Sequence, residues 1–138
     1  MAYTIKEVEK ETGISSHTLR FWAKKGLFPF VEKDKNGVKY FSNTDVEWVR
    51  WIEWFRKSHM SIESIKDYIT LAAKGEGTAK QRREMLSEQK KMVIAKMQEL
   101  DAVLKKLDYK LGVYDEMINK GVDGFNPTSK DYKGCKCQ

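Results

Sequence analysis

Apolar positions change their period along this chain, and each change marks a boundary between elements. Ile5 and Val8 stand at helical spacing, followed by Gly13 and then Ile14. Leu19 opens a second short helical run, with Phe21 or Trp22 as its inward partner. Around Asn36-Gly37 the runs Phe30 to Lys33 and Val38 to Phe41 read as two hairpin strands. Val46, Val49, Ile52 and Phe55 restore the helical period for a third helix ending near Lys57. Ile62, Ile65, Tyr68, Ile69 and Leu71 mark the apolar side of a fourth.

Polar punctuation agrees with these boundaries. Thr4 with Glu7 three residues on forms a capping box that starts the first helix at Ile5. Gly13 makes the turn, because glycine takes the left-handed conformation at little cost. Ser15 caps the second helix, Gly26 closes it, and Pro29 prevents its continuation. Ser42 or Asn43 caps the third helix. Ser61 caps the fourth, with an incomplete capping box because Ser64 follows three residues later. Gly75 and Gly77 then break the chain.

Beyond that break the period lengthens to seven. Leu86, Val93, Leu100, Leu107 and Tyr114 form one series. Met97, Leu104, Leu111 and Ile118 each follow a member of it by four residues. Alternating steps of four and three make a coiled-coil seam. A helix of about 40 residues extends about 60 Å and cannot bury such a seam on its own small domain. The simplest partner is the same helix of a second chain. Lys90 occupies a seam position, so the seam frays toward that end or turns to the N-terminal unit.

The expected fold is therefore mainly α. Residues 1–74 form a winged helix-turn-helix domain and residues 78–119 a dimerisation helix in an antiparallel coiled coil. Residues 120–138 read as a tail without secondary structure that carries Cys135 and Cys137. A turn between two short amphipathic helices lets the second helix enter a DNA major groove, and the hairpin becomes a wing along the backbone. The net charge of +6 agrees with a polyanionic partner. No apolar run approaches the roughly 18 residues of a membrane span. The N-terminus lacks a signal sequence, so a cytoplasmic location is expected.

The segments TLRFWAKKGL (Thr18 to Leu27), NGVKYFSNTDVE (Asn36 to Glu47) and MSIESIKDYI (Met60 to Ile69) occur in this order. With the element order, they resemble the MerR family of bacterial transcription regulators over roughly residues 3–119. KKLDYKLGVY (Lys105 to Tyr114) suggests the small subgroup, without a C-terminal effector domain, that includes aldehyde- and thiol-stress regulators. The resemblance implies a homodimer on a palindromic operator within an over-long promoter spacer. It implies that the dimer bends and untwists this double-stranded DNA so that RNA polymerase engages both promoter elements. Carried over residue by residue, DNA contacts fall on Ser16, His17, Thr18, Arg20, Phe21 and Trp22 of the second helix. The wing adds Lys33, Lys39 and Tyr40, and Arg56 adds a phosphate clamp. Departures are Trp22 for a tyrosine, Lys39 for an arginine, Ala23 for an acidic residue and Ser64 for a glutamate.

Sensor chemistry is sparse. The cysteine that metal-sensing members carry at the start of the long helix is absent around Gly77, Thr78 and Ala79. The third-helix cysteine of aldehyde-responsive members is Trp54 here. Cys135 and Cys137 form a C-x-C pair, flanked by Lys133 and Lys136, that could take a soft metal or an electrophile. Such a pair supplies too few ligands alone, and the reading adopted is a tail whose thiols have no assigned task. Trp48, Trp51 and Trp54 recur every third residue, as an aromatic effector pocket or as a packing face for the partner chain's long helix. The packing face is the reading adopted. His17 and His59 do not pair, His59 reading as solvated or phosphate-facing. Lys80-Gln81-Arg82-Arg83 reads as a solvated helix face. No catalytic constellation is visible and no cofactor is required, so an enzyme is not expected. The competing readings are an excisionase-like architectural DNA-binding protein and a coiled-coil module that binds protein.

Overall fold

The computed structural model of the chain describes residues 2–124. It contains α1 (Ile5–Thr12), α2 (Ser16–Lys24), β1 (Glu32–Lys33), β2 (Lys39–Tyr40), α3 (Asn43–Lys57), α4 (Ile62–Lys74), a 3-10 turn (Glu76–Thr78) and α5 (Ala79–Lys120). Among the described residues no helix is long and apolar enough to cross a membrane.

The expected capping box of α1 is present, and α3 has one as well. Thr4 and Glu7 exchange hydrogen bonds at the start of α1, and Ser42 and Asp45 do so at the start of α3. Ser42 rather than Asn43 is therefore the cap. The end of α2 is a Schellman turn. Leu27 N–H donates to Trp22 O, Gly26 N–H donates to Ala23 O, and Gly26 has φ 84°. The end of α3 has the same form without a glycine. Met60 N–H donates to Phe55 O and His59 N–H to Arg56 O, while His59 takes φ 68°. Met60 is thereby driven into the core.

The hairpin forms around Asn36-Gly37 as expected, with shorter strands. The antiparallel register pairs Glu32 with Tyr40 and Lys33 with Lys39. Gly37 N–H donates to Asp34 O, and Asp34 N–H donates to Val38 O. Gly37 is left-handed and Asn36 is not, which makes a three-residue loop with a bulge at Gly37. The Asp34 carboxylate accepts the N–H groups of Asn36 and Val38 and holds the loop closed. Tyr3 adds a bridge to Phe41 on the other side of β2.

Two compact units are distinguished, Met1 to Ile94 and the chain from Ala95 onward. The core of the first is built by Val8, Ile14, Leu19, Trp22, Leu27, Phe28, Val31, Phe41, Val46, Val49, Ile52, Phe55, Met60, Ile65 and Ile69. The first four turns of α5 belong to this unit, so its boundary lies beyond residue 74. Met85 and Leu86 pack on the core, and Gln89 Nε2 donates to Ser58 O at 2.7 Å. Leu86 is thus half-buried within its own chain, a correction to its place in the intermolecular seam. Arg82 is corrected as well. Its Nε donates to Thr78 Oγ1 and its Nη2 to Gly75 O, whereas Lys80, Gln81 and Arg83 are exposed as expected. Thr78 Oγ1 reaches Leu71 O at 2.6 Å and Gly75 O at 2.9 Å, where α4 leaves carbonyls without helical partners.

In the second unit α5 continues as a single helix and ends in a turn at Gly121, φ 68°. Met97, Leu100, Leu104, Leu107, Leu111, Tyr114 and Ile118 are all exposed, and Val93, in the last turn of the first unit, is half-buried.

Candidate nucleic-acid interface

The second helix is presented by a short, tightly held turn. Gly13 N–H closes α1 on Glu9 O, and Ile14 drops into the core behind it. Ser15 caps α2 by accepting from Thr18 N–H at 3.1 Å. The Glu9 carboxylate accepts from Ser16 Oγ at 2.8 Å and from Ser16 N–H at 3.0 Å. Those bonds, the Ser16 hydroxyl foremost, hold the Glu9 carboxyl below its ordinary pKa, and Lys6 and Arg20 add to the effect. The start of α2 is thereby tied to the end of α1.

Leu19 and Trp22 form the buried side of α2. His17, Arg20, Lys24 and Lys25 lie on the exposed surface, and Phe21 is 46% exposed. Lys25 Nζ sits 5.5 Å from the centre of the Phe21 ring. Between Phe21 and Trp22 the inward residue is Trp22, only 5% exposed. A buried indole offers little surface to a duplex, and Trp22 is withdrawn from the contact set. Its position follows from helix geometry, since Leu19 and Trp22 lie three residues apart on one face. Ser16 keeps its place at the helix start, but its hydroxyl proton is committed to Glu9. Thr18 is half-buried and its hydroxyl accepts from Ser15 Oγ.

The wing places Lys33 directly opposite Lys39. Like charges facing each other across a strand pair repel. No carboxylate lies within ion-pairing distance of either among the described residues. Tyr40 is 39% exposed, with a long 3.5 Å hydrogen bond from its hydroxyl to Asp34. Arg56 is exposed at the end of α3 and donates from Nη1 to Met60 O at 2.6 Å, which fixes its side chain. Lys66 is a further cation that sequence reasoning missed. Its Cε lies 3.4 Å from where a Cβ on Gly26 would stand, at the end of α2. Only tertiary packing brings α4 to that point.

The winged module and its surroundings match known proteins. The model for the MerR HTH family regulatory protein matches residues 3–71, and that for MerR, DNA binding, matches residues 46–109. The chain belongs to the MerR family. An uncharacterised HTH-type transcriptional regulator of Haemophilus influenzae is 33% identical to this MerR-family protein over 116 residues, 84% of this chain and 86% of its own. The HTH-type transcriptional regulator AdhR of Bacillus subtilis is 32% identical over 90 residues, 65% of this chain and 64% of its own. The crystal structure of HiNmlR, a MerR family regulator lacking the sensor domain and bound to promoter DNA, superposes with a TM-score of 0.76. That pair shares 32% identity over 88% of this chain and 97% of the other. The present protein is a DNA-binding HTH-type transcription regulator.

No cluster of three or more metal-ligating side chains occurs among the described residues. Cys135 and Cys137 lie outside them. The three tryptophans differ in their surroundings. Trp48 packs between Phe30 and Tyr68, Trp51 lies beside Phe55, and Trp54 is 60% exposed with Lys57 Nζ 4.9 Å from its ring centre.

Proposed function

We propose that this regulator acts as a homodimer on a two-fold symmetric site in a promoter spacer. It controls initiation by RNA polymerase through bending and untwisting of the duplex. The observation that supports this reading is the facing lysine pair of the wing, which has no carboxylate partner among the described residues and would gain an anionic one on a phosphate backbone. Arg20 and His17, with Phe21 beside them, read the groove; Lys33, Lys39, Tyr40 and Arg56 position the backbone. Ser16 and Thr18 contribute through the helix start. The exposed seam from Met97 to Ile118 supports pairing of α5 with the same helix of a second chain, antiparallel, so that two recognition helices reach two half-sites. Domains follow as residues 1–74 for DNA and 78–119 for pairing, with the first turns of α5 shared between them. With no membrane-spanning helix among the described residues, the cytoplasm is the expected location.

Fluorescence anisotropy with the promoter upstream of its own gene, over a range of salt, tests the binding. The logarithm of affinity should fall linearly with the logarithm of salt. Sedimentation equilibrium of a Leu104→Asp, Leu111→Asp variant tests the pairing, which should yield monomers with weakened promoter binding. Transcription from promoters with shortened spacers tests the distortion. A shortened spacer should relieve the need for the protein, and continued dependence on it would sink that mechanism.

A further inference from the structure

The N-terminal unit holds a concave cleft of ≈ 340 Å³ between α3, α4 and the start of α5. Its walls are Trp48, Trp51, Phe55, Tyr68 and Leu86, and Arg82 enters it from the first turn of α5. The rings are already arranged around one another. Trp48 and Tyr68 have centroids 6.0 Å apart, Phe55 and Tyr68 5.0 Å, and Trp51 and Phe55 5.8 Å. Trp51 remains 56% exposed, although it is the largest side chain at the mouth. The volume lies at the lower end of small-molecule sites, roughly that of a one- or two-ring compound.

The charges at the cleft differ in how they are partnered. Glu47, at the rim, is paired with Arg50 at 3.7 Å and points largely to solvent. Arg82 donates to Thr78 Oγ1 and Gly75 O, both neutral, and has no carboxylate within ion-pairing distance among the described residues. These bonds fix the guanidinium in place while leaving other N–H donors of its planar fork for a second acceptor. No acidic residue stands in the first turn of α5 to offset it. A held guanidinium beside aromatic walls set tilted and edge-on to one another complements an aromatic ring carrying a carboxylate.

We propose that this cleft binds a planar aromatic carboxylate, its ring against Trp51, Phe55 and Tyr68 and its carboxylate on Arg82. The proposal concerns the free protein and does not depend on the promoter reading. Isothermal titration with 2-naphthoate tests it, with 2-naphthylmethanol and 2-naphthylmethylammonium as neutral and cationic counterparts. Saturable binding of one naphthoate per chain is expected, with the alcohol roughly tenfold weaker or worse, because a charge-assisted hydrogen bond is lost. Arg82→Gln should erase the preference for the acid over the alcohol. Because Arg82 also braces Thr78, Trp51→Ala provides the second variant. Trp51 is mostly exposed, so the fold should persist while naphthoate affinity falls by roughly tenfold. Absence of saturable heat, equal binding of acid and cation, or unchanged affinity in Trp51→Ala would overturn the proposal. So would naphthoate binding that occurs only as the protein dissociates in sedimentation, since the cleft would then be covered by a second copy.

Discussion

Replacing Lys39 with glutamine separates the stability of the wing from its task. Lys39 is half-buried and stands opposite Lys33 in the two-stranded register. Removing one of two facing like charges relieves repulsion, so folding stability should hold level or rise by about 0.5 kcal/mol or less. DNA binding should change in the opposite direction. Each phosphate neutralised contributes about 0.9 to the slope of log affinity against log salt. A dimer carries two wings, so the slope should flatten by about 1.8. Extrapolated to about 0.15 M salt, this is a loss of roughly thirtyfold in affinity. The assay is anisotropy on a labelled promoter fragment across salt, run beside urea denaturation of the same preparation. The loss should be uniform across operator sequences, because a lysine on phosphate carries no base information. An unchanged slope would refute the placement of the wing on the backbone. A stability loss above about 1 kcal/mol would show that the lysine braces the hairpin instead.

Three further outcomes follow from local geometry. His59→Gly should raise stability by about 1 kcal/mol, because a side chain at φ 68° is strained where glycine is not; a lower urea midpoint would mean that the imidazole stabilises the turn. Thr78→Val should cost about 2 kcal/mol by removing the hydroxyl that meets Leu71 O and Gly75 O, and Thr78→Ser should retain most of it. Equal denaturation midpoints for the valine and serine variants would contradict this. Glu9→Gln should flatten the acid limb of the stability profile. The Glu9 carboxyl is held below its ordinary value near 4.5 by Ser16, so its contribution is full above that value and disappears as pH falls through the lowered one. Wild type and variant should therefore converge at strongly acidic pH, and melting curves that run parallel from pH 6 down to pH 2 would count against the Glu9–Ser16 bond.

What the sequence made legible depended on the range of the interactions involved. Thr4, Ser42, Gly13 and Gly26 act on backbone groups a few residues away, and their placement matched the expected helix ends. The Asn36-Gly37 pair located the hairpin but not its loop, because the Asp34 carboxylate, by accepting two N–H groups, selects a three-residue loop over a two-residue turn. The unresolved choice between Phe21 and Trp22 could not be settled by period alone, since both lie within one step of the apolar face. Burial decided it in favour of Trp22, the position that shares a face with Leu19. Leu86 kept perfect heptad spacing and yet packs at home. A heptad series describes which residues share a stripe and says nothing of where the stripe stops facing its own domain.

The end of α3 shows the same limit from another direction. A left-handed residue closes that helix, but it is His59, so no glycine marked the position in the sequence. The strain is sustained because the turn delivers Met60 to the core and lets Arg56 reach back to the Met60 carbonyl. Both results depend on a Schellman turn that the local sequence disfavours and tertiary packing enforces. Arg56 is thereby held rigid at the surface, which suits a backbone clamp: an arginine already fixed by one hydrogen bond loses less side-chain entropy when it meets a phosphate. The same reasoning applies to Ser16, where Glu9 holds the start of α2. In this module the polar groups nearest the proposed DNA surface are preorganised by bonds inside the protein, and the exposed charges of Arg20 and Lys33, with Lys39 beside them, are left for the duplex.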